Sequence, residues 1–495
     1  MSTTSTRPAG PARSAPTPAP RPPAGAPGGL GALLLRLHFY AGVLIAPFLV
    51  VAALTGLAYT VTPQLDTVVY GRELRADAAG RTERPLSEQV AAARAAHPDG
   101  TLAYVAPGGD GTTTQVVFDV PELTEDRQHS VYVDPYTAEV KGQLTTWFGY
   151  TPLRTWFDDL HRNLHLGPVG RHYSELAASW LWVVALGGLA LWWRRQRGAR
   201  NRARRLLLPD LTARRGVRRT RGWHASTGVW LLVGLLFLSA TGLTWSRYAG
   251  GNVSAGLDAL GARKPALSTA LDGSDPAAGG GHHGGGAPTA APGTDPVLFD
   301  QALQVARAAG LDGPVEVTPP ADASSAWTVE QTDETWPVRQ DRVTVDPAGG
   351  TVVDRSDFAD WPLLAKLSDL GISAHMGLLF GPVNQIMLAA LALGLLVVIF
   401  WGYRMWWQRR PTRAGRRPVV GAPPVARGAW WGLPSWLIVV GLPAVFLLCW
   451  VVPLFGVTLV GFLVVDLAVA ALRRRRPTPP VPVSPAPAGE RSVGG

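Results

Sequence analysis

Long apolar runs and short alternating segments divide the chain between them. Residues 33–61, 173–193, 223–246 and 375–403 each hold about 20 or more residues of largely apolar character, enough to cross ~30 Å of hydrocarbon as a helix. A fifth apolar stretch, 434–472, is interrupted by Val452, Pro453 and Leu454, so it reads as two helices in a hairpin. The pattern predicts six membrane helices. The run at 33–61 is too long for the apolar region of a signal peptide.

Between these runs the periodicity changes. In 62–172, helical spacing covers Leu86 to Ala96. Alternation with β-branched content then marks strands at Thr101 to Val105, Thr113 to Val120 and His129 to Val133, and after an Asp134-Pro135 turn, at Ala138 to Leu144. Segment 247–374 repeats the plan: a helix from Val297 to Ala309, strands near Val315 and Trp327, and a hairpin at Asp346-Pro347. Each segment is expected to be a small α+β domain. Residues 273–293, rich in Gly, Pro and His, read as a flexible insert in the second. The Pro- and Ala-rich residues 1–32 read as a disordered tail.

Charge orients the pattern. Of 46 Lys+Arg against 36 Asp+Glu, a dozen arginines and a single acid, Asp210, crowd between Arg194 and Arg221. Basic loops are poorly translocated, so 194–222, 404–433 and the tail 473–495 are expected in the cytoplasm with the N-terminus, and 62–172 and 247–374 outside. That concentration argues against nucleic acid as a partner and for membrane lipid. Trp192, Trp193, Trp401, Trp406, Trp407 and Trp430 sit where the runs end, as interfacial aromatics do. Mean hydropathy is +0.11, high for a chain with 43 prolines and 56 glycines. The one cysteine, Cys449, lies in an apolar run, which excludes a disulfide framework, a Cys-rich metal site and covalent haem attachment.

The chain also matches itself. His38-Phe-Tyr-Ala-Gly42 corresponds to His224-Ala-Ser-Thr-Gly228, and Thr55-Gly56-Leu57 to Thr241-Gly242-Leu243, both at an offset of 186. Pro152-Leu153, Asp159-Leu160 and His165-x-Gly167 correspond to Pro362-Leu363, Asp369-Leu370 and His375-x-Gly377 at an offset of 210. One unit of helix, α+β domain and helix is written twice. Both copies enter the membrane in the same direction, so equivalent residues lie at equal depth, related by an axis along the membrane normal.

Of ten histidines, His38 with His224 and His165 with His375 are the ones that recur as pairs. Two imidazoles facing each other inside a helix bundle make a bis-His haem site, with glycines nearby leaving room for a porphyrin edge. Thr55 stands ~25 Å of helix from His38, so the second pair forms a separate, outer centre. Histidines at helix ends also serve as caps or interfacial groups, and only the pairing favours ligation. His161 aligns with Gly371, lacks a repeat partner and reads as a cap or a solvent-exposed residue. His172, seven residues after His165, is the alternative ligand. His97 and His129 read as surface residues, and His282 and His283 as solvated members of a Gly tract.

The stretch Leu37-His38-Phe-Tyr-Ala-Gly-Val-Leu-Ile-Ala-Pro-Phe, the Leu54-Thr55-Gly56 that follows, the Val-Asp-Pro hairpins and the His-x-Gly entries resemble the PepSY-associated transmembrane family over about residues 33–410. Its members include iron-regulated membrane proteins and ferric-siderophore reductases. The resemblance implies an inner-membrane protein with two haem b groups, PepSY domains outside, and ligands carried here to His38, His224, His165 and His375. It would take electrons from a cytoplasmic or quinol donor and reduce an exported ferric complex. The second copy departs in having Ala225-Ser226-Thr227 for Phe39-Tyr40-Ala41.

Two other classes stand beside this one. PepSY domains also occur as modules that bind or restrain peptidases, a role without haem ligands. A transporter of iron or siderophores usually needs intramembrane acids, and Asp466 is the clearest one here. No His-Glu-x-x-His or Walker loop occurs.

Overall fold

The structure is a computed structural model. It describes residues 29–271, 294–409 and 433–474, apart from Ala79, Glu125, Asp126, Arg200, Arg214 and Ala323. The insert 273–293 with His282 and His283, Trp430, and nearly all of the expected terminal tails and second basic loop lie outside the described residues. The first unit runs through helices α1 (Leu30–Leu44), α2 (Ala46–Tyr59), α3 (Thr62–Val69), α4 (Gly71–Leu74) and α5 (Leu86–Ala96). Strands β1 (Thr101–Ala106), β2 (Thr114–Asp119), β3 (Arg127–Val133) and β4 (Val140–Trp147) lead to α6 (Pro152–Asn163) and α7 (Gly167–Gln196). After α8 (Arg202–Leu207), the second unit begins with α9 (Val217–Thr244), α10 (Ala249–Ala259) and α11 (Val297–Ala308). Strands β5 (Val315–Thr318), β6 (Trp327–Gln331), β7 (Arg342–Asp346) and β8 (Thr351–Ser356) then precede α12 (Leu363–His375) and α13 (Pro382–Gln408). Two apolar helices, α14 (Ser435–Val451) and α15 (Pro453–Arg474), follow.

Helices α7, α9 and α13 are each long and apolar enough to cross a membrane, and α1 with α2 makes a fourth span if the bent pair counts as one. This is a membrane protein. Sequence patterning suggested one continuous helix at 33–61, but α1 and α2 meet at a bend of 55°. Pro47 in the first turn of α2 is the cause. It has no N–H to give to the Val43 carbonyl one turn back. The hydroxyl of Tyr403, on α13, donates to that oxygen instead at 3.1 Å. Helix α2 packs on α13, α7 on α9, and α9 on α13, around a core that includes Ala41, Leu49, Trp180, Leu235 and Leu395.

The α14–α15 hairpin breaks at Val452, as its prolyl sequence suggested, and α15 leans on α7 and α1. Trp180 Nε1 donates to Thr458 Oγ1 at 2.9 Å, and the Tyr40 and Phe462 rings lie 5.3 Å apart. The deepest link is an ion pair between Arg36 and Asp466, whose side chains are only 5% and 14% exposed. Each charge is tolerable there only because the other is present.

The two α+β segments do not fold as separate domains. Their strands form one sheet in the order β4-β3-β2-β1-β5-β6-β7-β8, two antiparallel four-stranded halves joined edge to edge where Val105 pairs with Val317. Helices α5 and α11 cover one face over a shared core containing Val90, Phe118, Phe299, Leu311 and Val329. At the turns the Val-Asp-Pro motif does the same thing twice. Asp134 Oδ1 accepts from the Tyr136 N–H at 2.9 Å and Asp346 Oδ1 from that of Ala348 at 3.0 Å, closing an Asx turn between paired strands.

The opposite face of the sheet is polar. Glu316 projects there between the core residues Val315 and Val317. Burial, reinforced by the charge of Glu330, raises its carboxyl from 4.5 to about 7. The sheet is tied to the membrane bundle by Arg127 of β3 donating to Asp159 on α6 at 3.1 Å. In the second unit Ser373 on α12 donates to Glu334 at 2.6 Å.

Two outcomes follow from this packing. Asp466→Leu leaves Arg36 buried without its partner and should lower stability by about 3–5 kcal/mol, while Arg36→Met combined with Asp466→Leu should recover most of the loss. Thermal unfolding in detergent reads this, and a single variant that melts like the parent would remove the ion pair from the account. Folded Glu316 holds its proton more tightly than unfolded Glu316, so its contribution is complete below about 4.5 and is lost as pH rises through about 7. Melting temperature should therefore fall across that window, and Glu316→Gln should flatten the fall. An identical slope in both proteins would contradict this.

Candidate functional site

Four histidines meet in two pairs at two levels of the bundle. His38 on α1 faces His224 on α9 with ring centroids 6.2 Å apart and planes inclined at 75°. His375, the last residue of α12, faces His161 on α6 with centroids 6.4 Å apart and planes at 48°.

Each ring is aimed by a hydrogen bond at Nδ1. In the first pair the acceptors are backbone carbonyls one unit apart: Val184 O for His38 at 3.1 Å and Val398 O for His224 at 2.9 Å. A carbonyl only accepts, so Nδ1 carries the proton. In the second pair the partners are threonine hydroxyls, Thr55 Oγ1 for His161 at 2.9 Å and Thr241 Oγ1 for His375 at 2.6 Å. Those hydroxyls donate to Val51 O and Phe237 O, both at 2.8 Å, and therefore accept from the rings. All four imidazoles thus have Nδ1 protonated and the Nε2 lone pair free. That is the tautomer a metal ligand needs, with the outer-shell partner already in place.

Glycines shape the surroundings. A Cβ on Gly188 would come within 3.0 Å of His38 Cε1, and one on Gly56 within 3.1 Å of His161 Cε1, so a side chain at either place would displace the ring. Gly402 and Gly242 stand in the same relation to His224 and His375, at 3.6 and 3.8 Å. One turn on from His38 and His224, a Cβ at Gly42 or Gly228 would meet nothing within 4 Å. Beside His38 an apolar cavity of about 270 Å³ opens between α1 and α7, walled by Leu34, Leu37, Ala41, Trp182 and Val183.

The separation of the rings bears on what could lie between them. A metal held linearly by two imidazole nitrogens at about 2.0 Å each puts the ring centroids roughly 6.3 Å apart. Both pairs match that spacing. Two axial nitrogens, an apolar wall and space at the flanking glycines fit an iron porphyrin. Among the described residues no group of three or more His, Cys, Asp or Glu converges on one point.

His165 is not in either pair, contrary to the reading at offset 210. It is exposed, in a left-handed conformation at φ 55° after the end of α6, with its ring 4.9 Å from that of Trp156. The physical reason is one extra helical turn. Counted from the shared Pro-Leu start, α12 reaches His375 four residues later than α6 reaches His161, and four residues return a side chain to the same helix face. The better register was present in the tryptophans: Trp192-Trp193 and Trp406-Trp407 lie at an offset of 214. The same offset relates Val184 to Val398, Gly188 to Gly402 and His161 to His375. His172 contacts Val169 O and the Tyr248 hydroxyl and, among the described residues, pairs with no other histidine. His97 and His129, which read as surface residues, are half-buried, with ring centroids 5.1 Å apart and planes inclined at 43°.

A family model described as the PepSY-associated TM region matches residues 35–409. The chain belongs to that family. The match spans both histidine pairs and the whole sheet of this PepSY-associated protein and ends before the α14–α15 hairpin. A search of curated proteins finds no match.

Proposed function

We propose that the protein is a haem-b-binding electron carrier of the inner membrane that passes electrons outward to reduce an exported ferric complex, such as iron held by a siderophore. The single observation that supports this most is the pairing of four Nδ1-protonated imidazoles at a spacing that suits a six-coordinate iron. Haem b at each pair would supply a reversible one-electron iron couple. The polypeptide does the rest. His38 with His224, and His161 with His375, would hold the iron, replacing the His165–His375 assignment. Val184, Val398, Thr55 and Thr241 fix the ring tautomers, and the glycines keep side chains away from ring edges.

Direction follows from topology. The basic loop between Arg194 and Arg221 favours the cytoplasm, which puts the His38 pair inside and the His161 pair outside, together with the sheet. In this arrangement α14 and α15 complete six spans and both termini are cytoplasmic. The inner pair would be the side that receives an electron from a quinol or a soluble reductant, and the outer pair the side that yields it to one exported ferric ion, making it ferrous. Helical rise places Thr55 up to ~25 Å from His38, too far for one porphyrin to touch both pairs.

An absorption spectrum of the detergent-purified protein from haem-replete cells tests the proposal directly. Expected are the Soret and α bands of low-spin haem b, acid-acetone-extractable, at two per chain. His38→Ala or His224→Ala should remove about half the haem, His161→Ala or His375→Ala the other half, and His165→Ala none. A folded preparation with no Soret band would end the proposal and leave a peptidase-binding role for the sheet.

Reporter fusions check the orientation. Gly109 and Gly349 should report the outside and Ala213 the cytoplasm. The reverse pattern would exchange inner for outer throughout.

A further inference from the structure

Arg154 on α6 is a buried cation that, among the described residues, touches no carboxylate directly. The residue is nine-tenths buried. Its Nε donates to the Tyr59 hydroxyl at 3.0 Å, and its guanidinium lies 4.1 Å from the centre of the Tyr150 ring and 5.6 Å from that of Tyr59. Its Nη2 is buried with no hydrogen-bond partner. Among the described residues no carboxylate forms an ion pair with it. The nearby acids are engaged elsewhere: Asp66 accepts from Thr151 Oγ1 at 2.6 Å, Asp158 lies 3.2 Å from Arg162, and Glu334 accepts from Ser373. A desolvated guanidinium left half-satisfied is costly, so the vacant donor calls for an anion.

The position of Arg154 says which anion. Arg154 and His161 are seven residues apart on one face of α6, about two turns or 10 Å. Tyr59 stands one turn beyond Thr55 on α2, so the Arg154–Tyr59 contact repeats the Thr55–His161 contact one step further from the inner pair. A porphyrin bound at the outer pair carries its two carboxylates at a comparable reach from its centre. An exported ferric complex could also offer a carboxylate, but a residue buried this deeply is closed to a bulky solute and open to a group installed with the cofactor. Resting on the haem reading above, we propose that Arg154, steadied by Tyr59, binds a propionate carboxylate of the outer haem. The site belongs to the first unit alone. At offset 186 Tyr59 corresponds to Trp245, and at offset 214 Arg154 corresponds to Ser368, neither of which brings a charge.

The test uses the full-length protein in detergent, depleted of haem and titrated with haem b or with its dimethyl ester, which lacks the carboxylates. The inner centre of the same molecules serves as the folding control. The parent should bind the free acid at the outer centre at least about tenfold more tightly than the diester, the worth of one charge-assisted hydrogen bond. In Arg154→Gln the free acid should fall to the level of the diester with inner occupancy unchanged, and Arg154→Lys should restore part of the preference. An undiminished preference in Arg154→Gln, or no preference in the parent while its outer centre fills, overturns the assignment. So does an Arg154→Gln protein with normal haem affinity but a raised KM for ferric citrate, since the anion would then come from the substrate. Failure of either porphyrin to bind at all would instead strike the haem reading itself.

Discussion

The hydrogen bond at Nδ1 is the constraint on which the arrangement of the bundle turns. An imidazole free to rotate about its side-chain bonds presents either nitrogen in many directions. Here each of four rings gives its Nδ1 proton to an oxygen fixed on a helix, which leaves Nε2 as the free atom of a ring held 6.2 or 6.4 Å from its partner across the bundle. The backbone must come close for this to happen. Gly188 and Gly56 permit it, since a methyl group at either would press on the imidazole it adjoins. The histidines, their oxygens and the glycines therefore depend on one another, and all three recur in the second copy.

Holding two copies in register is a separate problem, solved twice. Within the bundle α9 packs against both α7 and α13, joining the units side by side. Outside it, β1 and β5 join the two half-sheets through Val105 and Val317 into one eight-stranded layer. Because α6 and α12 are hydrogen-bonded to that layer through Asp159 and Ser373, the spacing of His161 and His375 is set by the sheet as well as by the membrane helices. The inner pair has no such support. It relies on α1 and α9, and α1 is braced from outside by the buried Arg36–Asp466 pair with the hairpin beyond the family match.

Local signals made much of this legible. Helix α5 covers Leu86–Ala96 as its spacing predicts, and strands such as Thr114–Asp119 fall within a residue of the alternating segment at Thr113 to Val120. His38 and His224 could be paired because motif and helix coincide at one offset. The outer pair could not, because Pro-Leu and Asp-Leu mark the start of α6 and α12 whereas the histidine depends on where the helix ends, one turn later in the second copy. The bend at Ile45 was hidden in the same way: Pro47 is an ordinary first-turn residue until the helix before it is seen to be continuous. The joined sheet rests on edge-to-edge pairing between segments more than 200 residues apart, for which local alternation carries no signal.

Duplication by itself would produce two identical halves, and the differences show where the halves have separate work. The imidazoles, their acceptors and the glycines are retained. Their acceptors differ by level and not by copy: helix carbonyls for the pair at His38, threonine hydroxyls for the pair at His161. A peptide unit carries a dipole of about 3.5 D, larger than that of a hydroxyl, so its carbonyl draws more on the ring proton and leaves the other nitrogen more electron-rich. Depth thus distinguishes the two pairs in a way that both copies obey. Arg154 and Tyr59 break the symmetry within one level, since Ser368 and Trp245 stand at the equivalent places in the second copy. A buried guanidinium is costly unless an anion meets it, so a cation on one side of the bundle only suits a group that presents its negative charge on one edge, as the haem proposed for this level would.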